Sequence, residues 1–250
     1  MSTKIAITGK SGSGKTTIAK AFLNVIKGKF PDKSILLFDN DLSGELGHSY
    51  GLDIRNTIYG IRSGKHEYKT GIPEHMTKQE FIDWAMEDII VSIDDNVDLI
   101  VSWLPGVKDC RCPITEQISY AVKRVLKRYD FIIFDCEFDL KYLMQLVDID
   151  IDLSLIVANP TIESIKLAAR ISEYSAKYAA GGQMGIIINK VLNQDLSEVS
   201  LLAKKSEIDV LGTIPYDEII GCGSTTRESA VVQDAIKQLY CRLNLPQGEY

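Results

Sequence analysis

The chain has 250 residues, 45% hydrophobic and 25% charged, which is typical of a globular protein with one large domain over residues 1–250. With 34 acidic and 28 basic residues its net charge is −6, which disfavours nonspecific nucleic-acid binding. No apolar run approaches the roughly 18 residues of a membrane span and no signal-peptide core precedes the first strand, so we expect a cytoplasmic protein that binds neither nucleic acid nor membrane.

The first element is a short apolar strand that leads into a glycine-rich turn. The turn reads Gly9-Lys10-Ser11-Gly12-Ser13-Gly14-Lys15-Thr16-Thr17, and a helical pattern begins directly after it. This order is the context of a P-loop, in which backbone N–H groups hold phosphates, Lys15 reaches the outer phosphates and the Thr16 hydroxyl holds Mg²⁺. The alternative is a glycine-rich turn without a ligand. We expect residues 9–17 to bind a nucleotide.

Strands and helices then alternate to the end of the chain. Short apolar runs predict strands at 34–38, 97–103, 131–135, 153–158, 184–189 and 210–214. Helices are expected from the P-loop to Gly28, around 81–89, from Pro113 to 126, from about Thr161, at 197–205 and at 231–239. A weaker helical pattern extends from Asp53 to Asn96, and residues 62–71 within it are expected to form a surface loop. Such alternation predicts an α/β fold with a doubly wound, mostly parallel sheet flanked by helices.

Carboxylates follow two of the predicted strands. Asp39 and Asp41 come after the second strand, and Asp135 ends the strand at 131–135. Ligands of doubly wound sheets bind at the carboxyl ends of the strands. Asp135 is in the Walker B position, where a carboxylate holds Mg²⁺ together with Thr16. The alternative for Asp135 is a cap of the next turn, and for Asp41 a plain turn residue.

Asn189-Lys190 ends a late strand and resembles the segment with which other P-loop proteins contact the base of the nucleotide. Readers of guanine use Asn-Lys-x-Asp, and here the fourth position is Leu192, which accepts no hydrogen bond. The sequence therefore favours ATP over GTP. We expect Asn189, Lys190 and the segment Pro215-Tyr216-Asp217 to contact the adenine.

Five cysteines in a chain of this length favour reduced thiols over a disulfide framework. Two of them form Cys110-Arg111-Cys112, just before a predicted helix, where a basic neighbour and a helix N-terminus lower the pKa of a thiol. One pair supplies two of the four ligands of a closed tetrahedral site, and a two-fold dimer would supply the other two. The alternative is two surface thiols without a metal.

The P-loop sequence Gly-Lys-x-Gly-x-Gly-Lys-Thr-Thr resembles the deviant Walker A motif of the MinD/ParA/NifH group of dimeric ATPases. The resemblance implies a MinD-like P-loop fold and a homodimer in which Lys10 reaches the nucleotide of the partner subunit. It further implies that Asp41 orients or deprotonates the attacking water and that Asp39 supports Lys15 and the Mg²⁺ shell. Lys10, Lys15 and Asp41 are the catalytic residues that it predicts.

Within this group the chain resembles the CooC-type ATPases, which help to insert nickel into carbon monoxide dehydrogenase. The resemblance rests on the C-x-C pair, on Asp135-Cys136-Glu137, on Asn189-Lys190-Val191 and on the segment 212–217. It implies that Cys110 and Cys112 bind Ni²⁺ or Zn²⁺ between two subunits. It also implies that this MgATP-dependent metallochaperone serves a target metalloenzyme.

Two other functions remain open. A MinD/ParA-like positioning or partition ATPase would carry no metal and would need a basic DNA-binding face or a basic amphipathic C-terminal helix. The tail at 243–250 is neither of these. A small-molecule kinase built on a P-loop would leave Lys10 and the C-x-C pair without a role.

Overall fold

A computed structural model describes residues 2–41, 43–51, 56–62, 72–102, 113–137, 140–147, 149–176, 181–193, 195–218 and 229–247. The strands in these ranges are β1 (Thr3–Gly9), β2 (Ile35–Asn40), β3 (Val91–Asp94), β4 (Val97–Val101), β5 (Phe131–Cys136), β6 (Leu153–Ala158), β7 (Gln183–Val191) and β8 (Val210–Pro215). The helices are α1 (Lys15–Lys29), α2 (Glu45–Ser49), α3 (Ile58–Arg62), α4 (Lys78–Asp88), α5 (Pro113–Leu126), α6 (Lys141–Val147), α7 (Ile162–Ser175), α8 (Ser197–Lys205) and α9 (Ala230–Tyr240).

The strands form one sheet in the order β3-β4-β2-β5-β1-β6-β7-β8. Every pair is parallel except β3 with β4. β1 lies at the centre, where Ile5 is in register with Ile133 on one side and Leu153 on the other. The central strands are buried on both faces, which explains their continuous apolar sequences. The predicted doubly wound, mostly parallel sheet is confirmed.

Helices cover both faces of the sheet. Alternate strand residues point to opposite faces, so Leu37 belongs to the core that contains α1 and α9, whereas Phe38 packs with residues of α3, α4, α5 and α6. The helices α7 and α8 cover the end of the sheet formed by β6 and β7. No helix in the described ranges combines the length and the apolar character needed to cross a bilayer.

Three elements of the structure were not predicted. These are the edge strand β3, which lies in a stretch predicted as helical, and the short helices α2 and α6. β3 is joined to β4 through residues 95–96, so the two strands form a hairpin at the edge of the sheet. α2 and α6 have five and seven residues, too few to show a helical hydrophobic period. The predicted loop at 62–71 falls almost wholly outside the described residues.

Two details of the predicted helices were wrong. Gly28 does not end α1, which continues to Lys29, because Gly28 keeps a φ that any residue adopts and the chain turns only at Phe30. Phe30 then packs on Phe131 with 5.0 Å between the ring centroids. The helical spacing of Phe81, Trp84, Ala85 and Ile89 predicts that all four pack on the core. Ala85 and Ile89 are buried, together with Ile82 and Met86 of α4, whereas Trp84 remains 38% exposed.

Candidate nucleotide-binding site

The turn between β1 and α1 has a backbone that requires glycine. Gly9, Gly12 and Gly14 have φ values of +146°, +76° and +96°, which side-chain-bearing residues rarely adopt. A Cβ on Gly9 would lie 2.3 Å from the carbonyl oxygen of Val157, and one on Gly14 would lie 2.4 Å from Nδ2 of Asn189. Backbone conformation and close packing therefore both account for the glycines of the predicted P-loop.

The N-terminus of α1 is suited to an anion. Gly14 is its N-cap and offers no side-chain acceptor to the first N–H groups, and the first turn contains no acidic residue. Neither the N-cap nor an acidic side chain therefore compensates the positive end of the helix dipole. The hydroxyl of Ser13 is buried and has no hydrogen-bond partner within the described chain. A phosphate group would supply the missing acceptors and the negative charge.

Three carboxylates meet this turn at the ends of β2 and β5. Asp39 and Asp135 are direct neighbours in the parallel register. The Thr16 hydroxyl donates a hydrogen bond of 2.7 Å to Oδ2 of Asp135, and the Lys15 ammonium lies 3.6 Å from Oδ2 of Asp41. The other oxygen of Asp135, Oδ1, is buried without a partner in the described residues. The residues predicted for phosphate, Mg²⁺ and water thus lie in one cluster.

The cluster carries more negative charge than its own cation balances. Burial raises the pKa of Asp135 to about 7, against the opposing effect of the hydrogen bond from Thr16, and nearby Asp39 and Asp41 raise it further. Burial likewise raises the pKa of Asp39 to about 6, although its backbone hydrogen bonds act in the opposite direction. A divalent cation beside Asp135 would relieve this repulsion.

The donor set fits Mg²⁺ completed by a nucleotide. In the described ranges, no three histidine, cysteine, aspartate or glutamate side chains converge to hold a metal ion by themselves. Mg²⁺ is commonly held by one or two protein oxygens, water and substrate phosphates. Thr16 Oγ1 and the unpartnered Oδ1 of Asp135 are the protein oxygens available for that arrangement.

Asp39 and Asp41 are fixed by the turn that follows β2. Oδ1 of Asp39 accepts a hydrogen bond of 3.0 Å from the amide of Asp41, and Oδ2 accepts one of 3.3 Å from the amide of Gly47. Oδ1 of Asp41 accepts from both the amide and the hydroxyl of Ser43, which leaves Oδ2 toward Lys15. Sequence reasoning missed Ser43, although Asp-x-Ser is a recognisable side-chain turn.

Residues from β7 hold the P-loop from the side opposite the carboxylates. Nδ2 of Asn189 donates a 2.7 Å hydrogen bond to the carbonyl of Ser13, and Nζ of Lys190 donates one of the same length to the carbonyl of Gly12. The carbonyl and the N–H of one peptide unit point in opposite directions. The bonds to the carbonyls of Gly12 and Ser13 therefore direct the N–H groups of Ser13 and Gly14 away from β7. Asn189 and Lys190 were predicted to contact the base, and the structure places them against the phosphate-binding loop.

The other predicted base residues lie beside them. The amide of Tyr216 donates a 2.9 Å hydrogen bond to the carbonyl of Val191, which joins the ends of β8 and β7. Asp217 accepts a hydrogen bond from the hydroxyl of Ser229, the N-cap of α9. Leu192 and Tyr216 are 61% and 37% exposed. Sequence reasoning missed Ser229, which begins a helix as a plain N-cap serine.

Two predicted features lie at or beyond the edge of this cluster. Lys10 is exposed on the P-loop, and among the described residues its side chain has no hydrogen bond or ion pair. Cys110 and Cys112 lie outside the described residues.

Curated relatives share most of the length of the chain. It is 25% identical over 222 residues to an uncharacterized ATP-binding protein of Methanocaldococcus jannaschii, covering 86% of this chain and 85% of the relative. It is 24% identical over 231 residues to the carbon monoxide dehydrogenase accessory protein CooC of Rhodospirillum rubrum, covering 87% and 85%.

Solved structures share the fold at low identity. The MinC:MinD cell division complex of Aquifex aeolicus matches with a TM-score of 0.68 and 20% identity, over 100% of this chain and 99% of that chain. The septum site-determining protein MinD of Pyrococcus horikoshii, complexed with Mg-ADP, matches with a TM-score of 0.63 and 21% identity, over 96% and 94%.

The family comparison spans nearly all of the elements described above. Residues 4–224 match the CobQ/CobB/MinD/ParA nucleotide-binding domain. This range includes the P-loop, the carboxylates after β2 and β5, and the end of β7. The chain belongs to the CobQ/CobB/MinD/ParA family of P-loop nucleotide-binding domains.

Proposed function

We propose that this protein hydrolyses MgATP as a homodimer and uses the cycle to handle a metal ion for a target metalloenzyme. The observation that carries the hydrolytic part is the buried cluster of Lys15 with Asp41 and of Thr16 with Asp135, directly at the P-loop. A glycine-rich turn without a ligand would not need three carboxylates at its base.

In this proposal each residue has a defined task in phosphoryl transfer. The P-loop amides and Lys15 bind the β- and γ-phosphates, while Thr16 and Asp135 hold Mg²⁺, which when bound neutralises phosphate charge. Asp41 orients the attacking water through the oxygen that faces Lys15, since its other oxygen is held by Ser43. Asp39 positions Asp41 through the hydrogen bond between them.

Lys10 acts across the dimer interface in this proposal. Its exposure supports that role, because a lysine needed in its own subunit's buried site would not have to face solvent. A cation delivered by the partner at the moment of closure resembles an arginine finger. Hydrolysis would then require two subunits, and dimer opening would follow loss of the γ-phosphate.

The metal cargo is the second part of the proposal. Its support is the similarity to CooC of Rhodospirillum rubrum and the Cys110-x-Cys112 pair, two thiols per subunit that a two-fold dimer doubles to four. We propose Ni²⁺ or Zn²⁺ as the ion. The target is carbon monoxide dehydrogenase or a related metalloenzyme.

Elemental analysis of the purified protein, with and without MgATP, tests the cargo. We expect about one Ni²⁺ or Zn²⁺ per dimer, because four thiolates complete one tetrahedral site. Cys110→Ser and Cys112→Ser should each abolish metal binding. Cys241→Ser changes an exposed thiol 129 positions after Cys112 and should leave metal binding unchanged. Full metal content in the first two variants would remove the metal function and leave the ATPase.

A positioning or partition ATPase is the second candidate, since MinD structures share the fold over nearly the whole chain. Such a protein would bind lipid or DNA when loaded with ATP. Co-sedimentation with anionic vesicles and with duplex DNA, in the presence of MgATP, distinguishes the two functions. Clear binding to either one, together with absence of metal, would favour this second candidate.

A further inference from the structure

A second concave site lies at the end of the sheet opposite the P-loop. It has a volume of about 450 Å³ and is bounded by the start of β1, the C-terminal end of α5 and the residue Ile149 before β6. Lys4 and Gly9 are five residues apart on β1, which places them roughly 17 Å apart at about 3.3 Å per residue. The cavity is therefore separate from the nucleotide site, and its volume is in the range of small-molecule pockets.

The walls of this cavity are strongly basic in a chain that is acidic overall. Lys4, Lys123, Lys127 and Arg128 line it, against one carboxylate, Asp130. The net charge of the chain is −6, so this concentration of cations runs against the average of the surface. Concave sites lined by one sign of charge attract ions of the other sign.

The charges of the cavity are only partly balanced by the protein. Asp130 already accepts from the Lys33 ammonium at 3.2 Å and from the amide and hydroxyl of Ser34. Arg128 is paired with Glu87. Among the described residues, no carboxylate forms an ion pair with Lys123 or Lys127.

Lys4 adds a third ammonium group to the cavity, and two apolar residues also line it. The Lys4 ammonium donates only a long hydrogen bond, of 3.4 Å, to the carbonyl of Ser2, while its amide donates to the carboxylate of Asp152. Leu126 and Ile149 contribute apolar surface to the same cavity. The site thus combines three incompletely balanced ammonium groups with an apolar patch.

We propose that this cavity binds a small organic polyanion, a molecule with two or more phosphate or carboxylate groups. The ammonium groups of Lys4, Lys123 and Lys127 would bind the anionic groups, and Leu126 and Ile149 would contact the carbon skeleton. A concave site of this volume favours a small molecule over an acidic protein segment, which needs a longer surface.

Isothermal titration with two probes, inorganic pyrophosphate and citrate, tests the proposal. Saturating MgADP keeps the P-loop occupied during both titrations. We expect at least one probe to bind with a Kd below about 1 mM at low salt. Lys123→Gln/Lys127→Gln should weaken that binding roughly tenfold or more, because each charge-assisted hydrogen bond counts for more than a neutral one.

The matched control is Lys204→Gln/Lys205→Gln, which removes the same charge from the last turn of α8. This control should bind the probe within about twofold of wild type, and both double variants should keep their affinity for MgADP, which shows that they are folded. The proposal is wrong if neither probe binds, if both double variants lose affinity equally, or if only an acidic peptide binds.

Discussion

Asp135 combines two properties that a substitution can separate. Its side chain is fully buried, which disfavours the ionised form, yet one of its oxygens, which we propose as a ligand of Mg²⁺, has no partner in the described structure. A residue retained only for stability would not be both buried and incompletely satisfied, since such a group costs free energy. We interpret the cost as the consequence of a binding function.

Asp135→Asn should therefore lower ATP turnover and leave the protein stably folded. The amide keeps an acceptor for the Thr16 hydroxyl but loses the charge that holds Mg²⁺, so we expect kcat to fall by roughly 100-fold or more. Phosphate release assays measure this directly. Asp152→Asn is the matched control. It makes the same chemical change directly before β6, at the end of the strand away from the P-loop, and should keep wild-type turnover.

The same buried carboxylates should make the protein less stable at higher pH when Mg²⁺ and nucleotide are removed. Because the pKa values of Asp135 and Asp39 are raised to about 7 and about 6, the folded state binds more protons than the unfolded state between pH 4 and pH 7. The free energy of unfolding should therefore fall as the pH rises through this range and then level off. Urea unfolding of Asp135→Asn should show a shallower fall. An equal pH dependence in both proteins would contradict the assignment.

Lys190 offers a second test at the scale of one residue. Its φ of +60° is in the left-handed region, and its ammonium holds the carbonyl of Gly12. Lys190→Gly removes the strain and the hydrogen bond together. We expect nucleotide affinity to fall about three- to tenfold, the equivalent of one hydrogen bond.

Glu207 is the matched control because it is exposed and has a φ of +55°. Both glycine substitutions relieve the same kind of backbone strain, so they should change the free energy of unfolding similarly, within about 1 kcal/mol. Only Lys190→Gly should weaken the binding of a fluorescent ATP analogue. Equal affinity in both variants would show that Lys190 does not hold the P-loop for the nucleotide.

At the scale of elements, two helices begin with N-cap side chains, and only one of these side chains also contacts the candidate nucleotide site. The hydroxyl of Ser229 caps α9 by accepting from the amide of Val232, and it also donates to Asp217. Thr161 caps α7 by accepting from the amide of Ser164. Both side chains serve as N-caps, but only Ser229 is connected to the segment predicted to contact adenine.

Ser229→Ala and Thr161→Ala should each lower the free energy of unfolding by about 1 kcal/mol, the usual loss for an N-cap. Only Ser229→Ala should also weaken ATP binding, by several-fold, since Asp217 loses the hydrogen bond from the Ser229 hydroxyl. Chemical denaturation and nucleotide titration of the two variants measure the two effects. If both variants bind ATP as wild type does, Asp217 has no role in the base site.

The elements also show what the sequence could predict. Continuous apolar runs such as that of β5 are long enough to indicate a buried strand, and the glycine spacing before Lys15 indicates a P-loop. β3 has only four residues with alternating exposure, and its pairing depends on β4, so local pattern could not predict it. Gly47 was missed for a similar reason, because its contact with Asp39 depends on the path of the turn after β2. The contact of Ser43 with Asp41 is different, because Asp-x-Ser is a local turn that the sequence does show.

On the scale of the whole molecule, the parallel sheet brings residues distant in sequence to one edge. Thr16 and Asp135 are separated by 119 positions and Asn189 and Ser13 by 176, yet both pairs are hydrogen-bonded. The P-loop is thus held between β5 on one side and β7 on the other. Lys10 is exposed on this loop, as are Ser11 and Gly12, so its ammonium is accessible to a second subunit.

Complementation between two inactive variants tests the shared site most directly. Lys10→Ala keeps Asp41 but cannot serve its partner, whereas Asp41→Asn has a defective site but still supplies Lys10. A mixed dimer would contain one complete site, so an equal mixture should recover roughly a quarter of wild-type ATP turnover if subunits pair at random. A mixture of Lys10→Ala with the double variant Lys10→Ala/Asp41→Asn should recover none. Turnover no greater than the mean of the two parents would contradict a site completed by the partner's lysine.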